Sequence, residues 1–217
     1  MLKNIEDKKH IVIKTTKQFL PEGSALYSYI LTLHKKVSFV CGDENLAFRF
    51  SFLPWFDKIK KEVPLSADEV FVVDEELFLY DYFKNNGIKI NKKMATALCS
   101  SYILKDEKDS LYFQSIAELI ELGADYKVCE YNLLHKTSLS FLRLKGELLK
   151  NMLLVEDASV ALLHVDDETL KSCGAILENA IDCMDEVLGL GYVKCVRLIK
   201  IDEENRVIAE KGNCFEK

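Results

Sequence analysis

The residues best placed to do chemistry in this sequence are carboxylates at the ends of predicted elements. Asp74 ends the apolar run Glu69–Asp74, as a buried parallel strand does when it delivers a polar group at its carboxyl edge. Asp106 lies in a charged loop, and Glu22 lies in a Pro-Glu-Gly-Ser-Ala turn before a helix. Structural interpretations compete with chemistry for all three. Asp74 and Asp106 could accept hydrogen bonds from backbone N–H groups, and Glu22 could favour the positive end of the helix dipole.

No other catalytic arrangement is recognisable in the sequence. It contains no Gly-x-Ser-x-Gly segment, no Walker-type phosphate loop and no paired Cys/His signature. The four histidines are far apart, and none has a partner at ligand spacing. We therefore expect a surface or structural role for each of them: His10, His34, His135 and His164.

The seven cysteines are odd in number and scattered, and they include no Cys-x-x-Cys pair. This usage predicts neither a disulfide framework nor a zinc site. Cys99, Cys183 and Cys195 fall in apolar patterns, where a free cysteine acts as a small core residue. We expect free thiols and a cytoplasmic, reducing location.

Composition excludes several classes of function. The 217 residues are 49% hydrophobic and 29% charged, values typical of a folded domain. A net charge of −6 leaves no general basic field, so broad nucleic-acid binding is disfavoured. No apolar run approaches the roughly 20 residues that a membrane span needs. The first ten residues mix both signs of charge, unlike a secretory signal.

The first half of the chain alternates predicted strands and helices. Apolar residues recur at i, i+3, i+4 and i+7 after the first strand, and residues 46–60 are expected to form a helix broken at Pro54. Strands joined by helical connections imply right-handed crossovers and a mostly parallel sheet flanked by helices. The strands are expected at His10–Thr16, Val37–Cys41 and Glu69–Asp74.

Helices dominate the middle of the chain, at 92–104 and 137–151. Ser115 and Glu118 have the spacing of a capping box, and Gly123 is expected to end that helix. A second αβ unit follows, with a strand at Ala158–Val165, helices at Asp167–Ser172 and 177–188, and a hairpin of Tyr192–Ile201 with Arg206–Ala209.

The sequence thus predicts an α/β fold with a smaller C-terminal αβ subdomain. We place the first domain at 1–136, a connecting helix at 137–151 and the smaller subdomain at 152–217. No linker rich in glycine, serine or proline separates them, so the boundary rests on the change of element pattern alone.

Residues 11–28 carry a family resemblance. They resemble the first motif of the DHH phosphoesterase superfamily, in which a strand ends at a Pro-Asp-Gly-Asp-Ala segment that opens a helix. The two aspartates of that segment, both metal ligands in the family, correspond to Glu22 and Ser24. A family histidine before the proline corresponds to Gln18. Asp74 matches the aspartate that ends the second-motif strand, and Asp106 is what remains of a Thr-Asp-Thr-Gly stretch.

The resemblance implies a much reduced metal site. In active members two divalent ions, usually manganese, polarise a phosphoryl oxygen and generate a hydroxide. Here the ligands that correspond are Glu22, Asp74 and Asp106, while the Asp-His-His segment is missing and positions 35–134 contain no histidine. The glycine-rich segment with which the family's smaller domain grips anions is not found either.

These losses predict a catalytically inactive relative with a protein-interaction, regulatory or structural role in the bacterial cytoplasm. An under-ligated site neither holds a metal tightly nor orients the attacking water. The expected partner is another protein, and a homodimer is implied by the resemblance only. No cofactor is expected, unless Mn²⁺ is retained as in the family.

Two alternatives stay open. One is a reduced phosphoesterase that uses one metal on Glu22, Asp74 and Asp106 to act on a small phosphorylated or nucleotide substrate. The other is a module that binds a nucleotide without hydrolysing it.

The aromatic segment Phe48–Phe56 has two interpretations. Aromatic residues and arginine are enriched at interface hot spots, so the segment could bind a partner. Alternatively Phe50, Leu53 and Trp55 cover the sheet as core residues, which is the interpretation we favour.

Overall fold

The structure is a computed structural model that describes residues 5, 7–43, 48–105, 108–203 and 205–214. The chain divides into two compact units, Met1–Lys136 and Thr137–Lys217. Each unit has its own four-stranded sheet and its own hydrophobic core.

The first unit is built on a parallel sheet with strand order β3-β2-β1-β4. The central strand β1 is buried along nearly its whole length, and Ile13 lies between Phe39 of β2 and Phe71 of β4. The predicted α/β fold with a mostly parallel sheet is confirmed. The strands are β1 His10–Thr15, β2 Lys36–Cys41, β3 Ile59–Lys60 and β4 Glu69–Val73.

Five α-helices accompany this sheet in the described part of the first unit. Their bounds are α1 Leu20–Thr32, α2 Leu79–Asn85, α3 Lys92–Ile103, α4 Ser110–Glu121 and α5 Tyr126–Glu130, with a π-helical turn at Tyr131–His135. Three of them start at a side-chain cap that accepts a backbone N–H bond three residues on. These caps are Asn91, Asp109 and Asp125.

Helix α1 lies directly against the sheet because of one glycine. A Cβ atom added at Gly23 would lie 2.8 Å from Cε2 of Phe39, a contact too short for any larger residue without a shift of that ring. Phe39 is itself buried in the core of the first unit. The glycine therefore lets the first turn of α1 approach the carboxyl end of β2.

Two local predictions for the first unit are wrong. Helix α4 begins after Asp109 rather than at Ser115, because the Asp109 carboxylate caps it first. The expected broken helix at 46–60 is replaced, in its described part, by two short 3-10 turns, Phe48–Phe50 and Phe56–Lys58. Residues 61–68, all of them described, connect β3 to β4 without a helix.

The second unit has a mixed sheet in the order β5-β6-β7-β8, with β6 and β7 parallel and both outer pairs antiparallel. The predicted hairpin is confirmed as β7 with β8. The apolar side of α8 contributes Met184 to the core, as expected. The elements are β5 Leu153–Val155, β6 Val160–Val165, β7 Cys195–Lys200, β8 Arg206–Gly212, α6 Leu139–Lys150, α7 Asp167–Cys173 and α8 Leu177–Leu188.

Helix α6 belongs to the second unit. Ser138 caps its first turn, and Leu144 and Leu148 are buried in the second core. Among the described residues, no helix of either unit has the length and apolar character to cross a membrane.

One cysteine pair departs from the expectation of free thiols. Cys195 at the start of β7 is disulfide-bonded to Cys214, which follows β8. The antiparallel return of β8 brings the two together, although 19 positions separate them in the sequence. The other five cysteines are free and buried, and Cys99 and Cys183 are among them as predicted.

This pairing has a direct chemical test. We expect the denatured, unreduced protein to take up five alkyl groups, measured by intact mass, because five thiols are free. The Cys214→Ser variant should take up one more group, from the released Cys195. It should also lose about 2 to 4 kcal/mol of unfolding free energy, since the cross-link no longer restricts the unfolded chain. Alkylation of all seven cysteines without reductant would show the pair to be unbonded.

Candidate functional site

The candidate site lies at the carboxyl ends of β1 and β4. The chain leaves β1 toward β2 on one side, and β4 lies on the other side, so this is the switch point of the sheet. Ligands of open parallel sheets bind in the crevice outside such a point. The Thr15 hydroxyl donates a 3.1 Å hydrogen bond to the carbonyl oxygen of Val73, which fixes the two strand ends together.

Two neighbouring cavities open at this edge, and Gln18, Phe19 and Leu104 line both. The first, of 780 Å³, extends over α2, the end of α3 and the start of α4. The second, of 590 Å³, lies over the loops that follow β1, β2 and β4. Gln18, which the resemblance aligns with a family histidine, is thus part of a wall shared by the two cavities.

Glu22 lines the first cavity, but its carboxylate is already hydrogen-bonded within the protein. Its carboxylate is buried in the first turn of α1 and accepts a hydrogen bond from the Ser101 hydroxyl of α3. Burial raises the pKa of Glu22, and the Ser101 hydrogen bond offsets only part of that effect. The neutral, hydrogen-bonded form of this carboxyl is therefore favoured more than in water.

Ser24 is a structural anchor for the segment at Pro54. Its side chain is fully buried, and its hydroxyl donates a 2.7 Å hydrogen bond to the carbonyl oxygen of Pro54. One turn later Ser28 accepts a 2.9 Å bond from the indole Nε1 of Trp55. Helix α1 therefore holds residues 54–55, and Trp55 is kept in a left-handed backbone conformation with φ of 66°. Such a conformation in a large residue persists only when its surroundings enforce it.

Asp74 lies in the second cavity, apart from Glu22. Asp43 is also there, and its carboxylate accepts a 2.5 Å hydrogen bond from the backbone N–H of Lys17. Lys17 and Arg49 balance the two carboxylates, so this cavity has no excess positive charge for a phosphate. Asp106 lies outside the described residues, and its convergence with Glu22 and Asp74 stays a prediction.

The described residues do not fit the two-metal site that the resemblance implies. Glu22 and Ser24 direct their oxygens at Ser101 and Pro54. Across the described ranges no three His, Cys, Asp or Glu side chains come together in a way that could hold a metal ion. A site that holds two metal ions with carboxylate oxygens and imidazole nitrogens needs many more donor atoms than this.

The first cavity contains a charged cluster that the sequence did not reveal. Glu118 accepts hydrogen bonds from the ammonium of Lys84 at 2.7 Å and from the phenol of Tyr80. The Lys84 bond, followed by the Tyr80 bond, lowers the pKa of Glu118 to about 2. Burial, followed by the Glu118 hydrogen bond, raises the pKa of Tyr80. Tyr80 and Lys84 are one helical turn apart on α2, which is the only signal the sequence offered.

A second ion pair lines the same cavity. Lys105 pairs with Glu76, and its ammonium lies 4.2 Å from the centroid of the Tyr102 ring and 5.5 Å from that of Phe78. Cation–π contacts of this kind hold a lysine over aromatic faces. Phe78 itself projects from the wall and is 61% exposed.

The aromatic segment that follows β2 belongs mainly to the core. Phe50 and Leu53 are buried in the core of the first unit, and the partly buried Trp55 packs on it 5.6 Å from the ring of Tyr27. The core interpretation is supported for these three residues.

Comparison with known proteins shows a likeness of fold. A crystal structure of an exopolyphosphatase-related protein from Bacteroides fragilis superposes with a TM-score of 0.70. The match covers 94% of this chain and 81% of that one, at 14% sequence identity. No protein-family model matches the chain, and no curated protein matches it. At this identity the likeness shows the fold alone, and it agrees with the α/β fold that the sequence predicts.

The buried carboxyl of Glu22 predicts a pH-dependent stability. Because its pKa is raised on folding, its contribution is complete below the unfolded-state pKa and is lost as the pH rises through the folded-state pKa. We expect Glu22→Gln to match the unsubstituted protein in stability near pH 4 and to exceed it near pH 7, by urea unfolding followed with circular dichroism. The exposed Glu121→Gln variant is the control. Parallel pH profiles for Glu22→Gln and the unsubstituted protein would contradict this account.

The Ser24 anchor predicts that an aspartate is not tolerated at this position. Ser24→Ala should lose about 1 to 2 kcal/mol, because the Pro54 carbonyl loses its donor. Ser24→Asp should lose more, because a carboxylate would be buried against that carbonyl oxygen. The exposed Ser110→Ala variant should stay within about 0.5 kcal/mol in the same urea unfolding experiment. A Ser24→Asp protein as stable as the unsubstituted one would refute the anchor.

Proposed function

We propose that this chain is a phosphoesterase-like protein that does not hydrolyse phosphates and acts by binding another protein. The fold likeness to an exopolyphosphatase-related protein supplies the scaffold. The proposal also rests on the resemblance to the DHH phosphoesterases. In that family, metal-binding aspartates stand at the positions that correspond to Glu22 and Ser24.

The observation that carries the proposal is that the side chains at those two positions are engaged within the protein. Each is buried and engaged in a hydrogen bond inside the first unit, Glu22 with Ser101 and Ser24 with Pro54. Groups engaged in this way give few free lone pairs to a metal, and hydrolysis of this type needs a nearly complete ligand shell. Positions 35–134 also supply no histidine.

A binding role is supported by the surface around the first cavity. Phe78 and Leu111 line it and are 61% and 68% exposed. Large apolar side chains grouped at a concave surface mark interaction sites more often than isolated ones do. The partner could also be a second copy of this chain, bound through the first unit. Only the resemblance to the DHH phosphoesterases supports this form of binding.

We place this role in the bacterial cytoplasm. The five free cysteines are compatible with a reducing compartment. The Cys195–Cys214 bond is unusual for that compartment, where most thiols stay reduced.

Calorimetry with Mn²⁺ and a hydrolysis assay test the proposal together. We expect no saturable heat with Mn²⁺, and no product from bis(p-nitrophenyl) phosphate or from nucleotides with Mn²⁺ present. Glu22→Gln and Asp74→Asn are the matched controls, because they remove candidate ligands while keeping side-chain size. Saturable Mn²⁺ binding and hydrolysis that both disappear in Asp74→Asn would establish the one-metal phosphoesterase instead.

A further inference from the structure

We propose that the 780 Å³ cavity beside α2 and α4 is a docking site for a basic segment of a partner protein, one that presents an apolar side chain next to lysine or arginine. This rests on the proposed binding function and specifies the chemistry of the partner. For brevity the site is called the tyrosine cavity, after Tyr80, Tyr102 and Tyr112, which line it.

Aromatic rings form a continuous wall of the tyrosine cavity. The ring centroids of Tyr80 and Tyr102 are 6.1 Å apart, and those of Tyr102 and Tyr112 are 6.0 Å apart. Neighbouring rings at these distances stabilise one another, so the wall is built before any ligand arrives. Preformed aromatic surfaces bind apolar and cationic groups at low entropic cost.

The charge of the tyrosine cavity favours a cationic partner. Among the described residues, five carboxyl groups, one of them the buried Glu22, and two lysines line it. Both lysines are engaged within the wall, Lys84 with Glu118 and Lys105 with Glu76. Asp81 is exposed in the first turn of α2 and makes no hydrogen bond or ion pair within the described residues. It is therefore open to a lysine or arginine of the partner, and lysine already lies over these aromatic rings within the chain.

Phe78 supplies an apolar contact at the mouth of the cavity. It stands just before α2 with φ of 46°, a left-handed conformation that is a rare outlier for a bulky residue. Burial does not compensate for this strain, because the ring is 61% exposed. Residues held in such sparsely populated backbone conformations cluster at active sites and ligand clamps. With Leu111 on the facing helix, Phe78 forms an apolar rim around an acidic interior.

A segment of a partner protein suits this shape better than a small ligand does. The cavity holds several side chains, and its apolar rim and acidic interior are parts of one surface. An apolar anchor at Phe78 and Leu111 with a cation near Asp81 matches the arrangement of an interface hot spot with a charged neighbour.

Peptide selection tests this docking site without knowledge of the natural partner. The immobilised full chain would be screened with a random dodecapeptide phage library, and one enriched peptide would be synthesised with a fluorescent label. We expect enrichment of leucine, phenylalanine or tyrosine beside arginine or lysine. Binding, measured by fluorescence anisotropy, should weaken as salt rises, because charge pairs at an exposed mouth are screened.

Charge reversal and ring removal locate the binding. Asp81→Lys and Phe78→Ala should each weaken the peptide by about tenfold or more, the size of a hot-spot loss. Glu121→Lys makes the same charge change on the same unit away from the cavity, and Tyr131→Ala removes a ring of matching exposure, 61%, that does not line it. Both control variants should bind the peptide as the unsubstituted protein does. Circular dichroism of all four confirms that each variant is folded.

Three results would overturn the docking site. These are no enrichment, enrichment of peptides without basic residues, and equal affinity for Asp81→Lys, Phe78→Ala and the controls. Displacement of the peptide by spermidine or by a nucleotide at equal concentration would assign the cavity to a small ligand and would also overturn it. None of these results bears on the Mn²⁺ calorimetry, so the docking site can fail while the non-hydrolytic function stands.

Discussion

The close contact between the first turn of α1 and the carboxyl edge of the sheet is the constraint on which the site depends. Gly23 permits that contact by leaving room for the Phe39 ring. With α1 this close to the sheet, the side chains on either side of Gly23 are buried inside the first unit. Glu22 meets Ser101 and Ser24 meets Pro54. Gly23 thus has a steric role, while its neighbours Glu22 and Ser24 make internal hydrogen bonds.

The two cavities divide the polar groups of this edge into different environments. In the second, carboxylates and cations are balanced around Asp74. In the first, an excess of carboxylates faces a row of tyrosine rings. Lys84 and Lys105 are held by carboxylates and rings together, so their charge is neutralised locally rather than offered to a ligand. A surface of this kind attracts cations.

Local patterns predicted the parts of the fold that depend on neighbours in the chain. The strands around Ile13 and the helix at 177–188 follow from periodicity, and the parallel sheet follows from their alternation. Such patterns could not predict contacts between segments that are far apart in the sequence. Ser101 is 79 positions from Glu22, and Tyr80 is 38 positions from Glu118. The start of α4 was misplaced because Ser115 and Asp109 are both acceptable caps, and the earlier one, Asp109, caps the helix. The three-residue strand β5 is too short and too exposed to give a signal.

The indole of Trp55 has a useful property that follows from its place beside α1. It is the only tryptophan in the 217 residues, and it donates to Ser28 and lies under the ammonium of Lys93 at 3.6 Å. Its emission therefore reports on the first unit. Any event that loosens the turn at Pro54, whether a ligand, a substitution or heat, changes the polarity around that one ring. The chain thus carries its own optical reporter of the contact between α1 and the segment at Pro54.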